Sequence, residues 1–190
     1  MKTIFTVQHR TNVILLLFVL AVISLFITSG VIAAETRPAD QQDSKCQDSL
    51  IKSQVETACS MLNEIYIKHK NKELTLEQAK KLGADLLRGL RYGPGKKSYF
   101  WADTLEGVNV VLYGEKETEG KSRYDAKDIK GTFYVKDFIV KGKLPGGGYS
   151  KYWYKKLGGT TPMHKKSYVL LFEPFGWVIG TCYYIDDDAK

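Results

Sequence analysis

The hydrophobic pattern of this chain changes period once, at Gly93-Pro94-Gly95. Before that point the apolar positions keep helical spacing. Ile51, Val55, Ala58, Cys59, Leu62, Ile65, Tyr66 and His69 recur at intervals of three and four, which predicts a helix over about 47–70 that is roughly 36 Å long. Thr75 followed by Gln78 is a capping-box pattern, and Leu76, Ala79, Leu82, Leu86, Leu87 and Leu90 then continue as a second amphipathic helix. After the glycines the pattern alternates. Tyr92 to Tyr184 holds 19 of the aromatic residues, in strand-like runs separated by Gly-rich turns. Candidate strands are 99–103, 108–113, 149–155, 166–173 and 177–186. The turn Glu173-Pro174-Phe175-Gly176 places Pro and Gly where a tight turn favours them. Between the second and third strands Phe133, Tyr134, Phe138 and Ile139 form a short helical stripe, introduced by Asp128 and Gly131. The expected fold is α+β with a five-stranded antiparallel sheet.

Ahead of the helices, residues 13–34 contain no charge. As a helix this segment reaches roughly 33 Å, enough to cross a bilayer core of about 30 Å. Lys2 and Arg10 precede it and Glu35, Arg37, Asp40 and Asp43 follow, so residues 1–12 are expected in the cytoplasm and residues 35–190 outside it. The run is longer than a usual signal core, which favours an uncleaved anchor. Ala33 and Ala34 keep cleavage of a signal peptide open as the alternative. Residues 35–46 read as a polar spacer, 47–187 as the folded domain and 188–190 as a tail.

The 190 residues, 44% hydrophobic and 26% charged, suit one globular domain with an appendage. Basic residues exceed acidic ones, 28 to 21, but are scattered singly and in pairs, which argues against nucleic-acid binding and suits an anionic ligand or surface. Of the three cysteines, Cys46 and Cys59 lie too far apart on one helix to bridge. A bridge, if one forms, pairs Cys59 with Cys182; the alternative is buried thiols with no bridge. No Cys/His cluster suggests zinc or haem, and no other cofactor is indicated. Asp186 to Asp188 read as a solvated end rather than a metal site. Ser167, His164 and Asp128 have the types of a nucleophile, base and orienter, but their spacing matches no catalytic motif, so no enzyme is expected.

Several local segments together resemble the single Cache (sCache_2-like) domain, the extracytoplasmic sensor module of bacterial chemoreceptors and sensor kinases. They include Leu90-Arg91-Tyr92-Gly93, Tyr99-Phe100-Trp101-Ala102-Asp103, Glu119-Gly120, Asp128 with Gly131, and Gly147-Gly148-Tyr149 with Tyr152. Pro162, Lys165 and Tyr168, then the run 172–181 and Tyr184-Ile185-Asp186-Asp187, complete the series. The resemblance covers about 47–187. It implies a PAS-like sheet behind a long N-terminal helix, with a pocket between sheet and loops that takes small organic acids. At Tyr113-Gly114 the chain departs from the His-Pro that relatives often carry, and it stops at Lys190, where receptors continue into a transmitter.

A desolvated carboxylate needs charge-assisted donors and aromatic walls. The positions with those residue types are Arg91, Tyr99, Trp101, Tyr113, Tyr152, Lys165 and Tyr168. Arg91 also suits a helix C-terminus. Tyr99 and Trp101 share one strand face with Phe100 on the other; along the fourth strand Lys166, not Lys165, shares the face of Tyr168. The expected function is sensing a small anionic metabolite in signal transduction or chemotaxis, with a secreted or periplasmic carrier as the alternative. Helix 47–70 is expected to carry any signal, by pairing with a second copy or through a separate partner.

Overall fold

The three-and-four stripe of the N-terminal half winds into one long helix, α1 (Ala39–Lys70), in a computed structural model that describes residues 39–185. Ile51, Val55, Ala58, Leu62 and Ile65 are its buried positions. The helix starts well before Gln47 and takes in part of the expected spacer, because no Gly or Pro interrupts residues 39–46. From Asp43 onward the chain is one compact unit. The stripe is used within that unit, which leaves Leu50, Met61 and Ile67 as the large apolar residues of α1 that stay exposed. No helix among the described residues is long and apolar enough to cross a membrane; segment 13–34, for which an anchor or signal helix is expected, lies outside the described residues, as does the Asp186–Asp188 end.

The second helix, α2 (Leu76–Gly89), starts at the expected capping box. Thr75 Oγ1 accepts from Gln78 N at 3.1 Å and Gln78 Oε1 accepts from Thr75 N at 2.8 Å. Gly83 lets α2 approach the core, since a Cβ there would stand 2.9 Å from Leu62 Cδ2 and 3.0 Å from the Phe175 ring. Leu76 and Leu82 of the expected stripe remain exposed, while Ala79 and Leu87 are buried.

Strand structure begins with a ribbon, β1 (Arg91–Tyr92) against β2 (Ser98–Tyr99). The main sheet holds β3 (Trp101–Thr104), β4 (Asn109–Leu112), β5 (Gly148–Lys155), β6 (Pro162–Phe172) and β7 (Trp177–Tyr184) in the order β4-β3-β7-β6-β5. All neighbours are antiparallel, which is the five-stranded PAS-like sheet the resemblance implies. Helix α3 (Tyr134–Gly142) lies between β4 and β5 in sequence. The expected first strand, 99–103, is divided at Phe100. Tyr99 pairs with Arg91 in the ribbon, while Trp101 pairs with Gly180 in the sheet. Thr181 joins the two by donating to Tyr99 O at 2.7 Å while its hydroxyl meets Tyr92 OH at 2.8 Å. At the β6–β7 turn Gly176 takes the left-handed conformation (φ 68°) that the Pro-Phe-Gly sequence anticipates.

Strand alternation sorts the interior into two cores. Phe100, Ala102, Val111, Tyr168, Phe172, Trp177 and Ile179 face α1 and α2, and Tyr99, Trp101, Leu112, Tyr152, Val169 and Val178 face α3. Both sheet faces are therefore covered. Cys182, opposite Ser167 in the β6–β7 register, falls on the α3 side, whereas Cys59 packs with the α1 core. The sheet stands between them and all three cysteines are free, so of the two alternatives the structure has the unbridged thiols and not the Cys59–Cys182 bridge.

Candidate functional site

Alternation along β6 turns Lys165 toward α3, where its side chain is 2% exposed. Its register partners are Tyr152 on β5 and Tyr184 on β7. Nζ donates to Tyr99 OH at 3.2 Å and stands 4.9, 5.1 and 5.2 Å from the ring centres of Tyr154, Tyr184 and Tyr99. Ring faces soften the burial of an ammonium. No carboxylate among the described residues pairs with it. Burial opposes the charged form, while the Cys182 thiol and the phenols of Tyr152, Tyr99 and Tyr184 resist loss of the proton, because any negative charge they gained would pair with the ammonium. The balance holds the Lys165 pKa above the ordinary lysine value.

Trp101 supplies a second buried donor. Its ring lies over Gly180, where an added Cβ would stand 2.3 Å from Trp101 Cζ2, and against Phe138 at 4.3 Å between centres. Nε1 is buried without a hydrogen-bond partner among the described residues. Such a group is uncommon in a folded protein and marks a place where a ligand or water belongs. Lys165 and Trp101 line the same small cavity, of about 10 Å³, together with Leu112, Arg123, Tyr134, Phe138, Tyr152 and Tyr154. That is room for about one water.

The other cation of this wall is already neutralised. Arg123 Nε and Nη2 bond the two oxygens of Asp103 at 3.1 and 2.5 Å, and Asn109 Nδ2 donates to Asp103 Oδ1 at 2.9 Å. Burial lifts the Asp103 carboxyl while Arg123 and Asn109 draw it back. Arg123 is raised above its ordinary value: burial opposes its charge, and Asp103 outweighs that. Among the described residues, Lys165 is left as the cavity's cation without a carboxylate partner.

Of the residues expected from sequence, Trp101, Tyr152 and Lys165 line this cavity, and Tyr99 touches it through Lys165. Arg91 and Tyr113 form a stack outside it. The Arg91 guanidinium lies 3.3 Å over the Tyr113 ring, which sits 5.8 Å from Tyr99, and Arg91 Nη1 donates to Leu90 O at 2.5 Å, bracing the end of α2. Tyr168 is not brought to the cavity. Parity sends it to the α1 face, where it packs against Tyr149 and donates to Gly146 O. Ser167 and His164 project from opposite faces of β6, and Asp128 accepts from the backbone of Lys130, Thr132 and Trp153, so the three do not assemble.

Sequence reasoning missed five lining residues. Tyr154 was within reach, since it shares the face of Tyr152 two positions on. Tyr134 and Phe138 belong to the stripe seen at 133–139 but carried no sign of their target. Leu112 follows from β4 alternation. Arg123 lies in a connector without periodicity and gave no signal.

The family of Cache domains designated dCache_2 matches residues 39–190, and the chain belongs to it; this is a Cache sensor domain. The matching family is dCache_2 rather than the single Cache group that the sequence resembles. Among related proteins, the methyl-accepting chemotaxis protein McpP of Pseudomonas putida is 27% identical over 60% of this chain and 21% of its own. The sensor histidine kinase MctS of Rhizobium johnstonii is 29% identical over 78% of this chain and 31% of its own. The chain thus spans about a third or less of either relative. Among solved structures, a periplasmic sensor domain of a chemotaxis protein is 26% identical, with a TM-score of 0.70 over 75% of this chain and 97% of that one. A Cache chemosensory domain described for carboxylic acid recognition is 27% identical, with a TM-score of 0.71 over 77% and 98%.

Proposed function

We propose that this Cache domain binds a small carboxylate in the Lys165 cavity and works outside the cytoplasm as the input part of a membrane-linked signalling protein, without covalent chemistry of its own. The observation that carries the reading is a pair of buried donors lining one cavity: an ammonium bonded to the Tyr99 hydroxyl that meets no carboxylate among the described residues, and an indole N–H with no acceptor among them. A carboxylate satisfies both at once, with Tyr99 and Tyr152 beside it. Because Arg123 is neutralised by Asp103, one carboxylate group matches the available charge and two do not. The aromatic wall of Phe138, Tyr134 and Tyr152 suits a short apolar tail. The likeness to a domain described for carboxylic acid recognition supports the same class, and the likeness to a periplasmic sensor domain supports an extracytoplasmic place. One five-stranded sheet among the described residues supports a single sensing module.

The test is calorimetric titration of the protein with acetate, propionate and the dicarboxylate succinate. The reading expects binding of a monocarboxylate and loss of it in Lys165→Met. Equal affinity in wild type and variant, or preference for succinate, contradicts it.

A further inference from the structure

Beside the Lys165 cavity lies a wider pocket of about 200 Å³, lined by Lys127, Asp128, Trp153, Lys155 and Pro162 among others. Tyr134 and Tyr154 line both spaces, so one pair of rings separates them. The inner cavity has room for about one water, and an acid of even a few heavy atoms enters only if a wall moves. The wall residues differ in how they are held. Trp101 lies pinned between Gly180 and Phe138, Tyr152 OH is bonded to Ser167 Oγ at 2.9 Å, and Arg123 is bonded to Asp103. Tyr134 is buried on α3 and stacked on Tyr152 at 5.2 Å. Tyr154 is half-buried near the end of edge strand β5, and its hydroxyl donates to Glu115 Oε1 at 3.0 Å. Glu115 follows Gly114 (φ 78°) in the β4–α3 connector and also meets Lys155 Nζ at 3.7 Å.

We propose that the outer pocket first holds an incoming acid, and that Tyr154, latched by Glu115, is the gate between it and the Lys165 cavity. This rests on the carboxylate reading of that cavity. Lys127 and Lys155 line the outer pocket; Lys155 is shared with Glu115 at 3.7 Å, and Asp128, the one carboxylate among the described lining residues, has its oxygens held by three backbone N–H groups, so Lys127 is the cation left to meet an anion there. An anion is therefore attracted there before any wall moves. Swinging Tyr154 outward breaks its hydrogen bond to Glu115 and its ring contacts with Tyr134, Tyr152 and Lys165, and joins the two spaces.

Cys182 gives a readout that needs no acid. It sits on the cavity face of β7, two positions from Tyr184, which pairs with Lys165, whereas Cys59 lies across the sheet. Labelling rates of both thiols with methyl methanethiosulfonate are compared in wild type, Glu115→Ala and Tyr154→Phe. The gate predicts that Cys182 labels faster in both variants by about fivefold, the factor that loss of one hydrogen bond gives, with the Cys59 rate unchanged. Unchanged Cys182 rates overturn the proposal, as does a joint rise at Cys182 and Cys59, which marks general loosening. Faster Cys182 labelling in a protein that binds no monocarboxylate would keep the gate and remove the ligand assignment.

Discussion

Lys165 is the residue on which the carboxylate reading turns. Lys165→Met is expected to weaken monocarboxylate binding by about 2–5 kcal/mol, the usual loss when one partner of a desolvated charged contact is removed. Unchanged affinity in calorimetric titration would take Lys165 out of the site. The cysteines provide a second residue-scale check. Burial, reinforced by Glu56, pushes the Cys59 thiol up to about 12, and Cys182 is buried, so exposed Cys46 should react first with a thiol reagent. The unreduced native protein should carry three free thiols; a mass showing a Cys59–Cys182 bridge would contradict the two-sided sheet. At this scale the sequence was most legible through parity. Alternation put Tyr99 with Trp101 and kept Tyr168 on the side of Lys166. It does not say which face meets the cavity, because both faces are buried and both are aromatic.

At the scale of elements, the capped helix and the five main strands were legible because each has a strong local signal: a capping box, an alternating run or a Pro-Phe-Gly turn. The connector from Glu115 to Phe133 was not. It has no regular period, yet it brings Arg123 to the cavity and closes the open edge of β5. Asp128 performs that closure by accepting from Trp153 N at 2.9 Å as well as from Lys130 and Thr132. Burial acts to raise the Asp128 pKa, and those bonds outweigh it, so the carboxyl is held below its usual value. A carboxyl depressed on folding stabilises above its unfolded pKa of about 3.9, and the contribution fades as pH falls through the lower folded value. The melting temperatures of wild type and Asp128→Asn should therefore differ at pH 7 and converge toward pH 3; a constant gap would show that the charge is not what closes the edge. Gly180 is the matching case inside the sheet. With Trp101 Cζ2 at 2.3 Å from an added Cβ, Gly180→Ala should destabilise by about 1–3 kcal/mol, the range for overpacked cores, as read by denaturant unfolding.

For the whole molecule, the sheet separates the face of the Lys165 cavity from a face that carries α1, and neighbouring residues in sequence connect the two. Lys165 and Tyr184 face the cavity, while Lys166 and Tyr183 bond Asp48 of α1 at 2.6 and 2.9 Å. A ligand that repositions Lys165 acts on the strand segments to which α1 is fastened, and it shifts α1 to the extent that it binds one arrangement better than another. This placement could not be read from sequence, since the alternation of β6 and β7 does not reveal that one residue of α1 reaches both strands. A monocarboxylate at 100 times its dissociation constant should raise the stability of the protein by about 2.7 kcal/mol. The most direct test of the account is a crystal structure of the protein with acetate bound. The account predicts one carboxylate oxygen at about 2.8 Å from Lys165 Nζ, hydrogen bonding from Trp101 Nε1, and the methyl group turned toward Phe138. Acetate seated on Arg91 and Tyr113, with Trp101 Nε1 and Lys165 Nζ still without an anion, would contradict it.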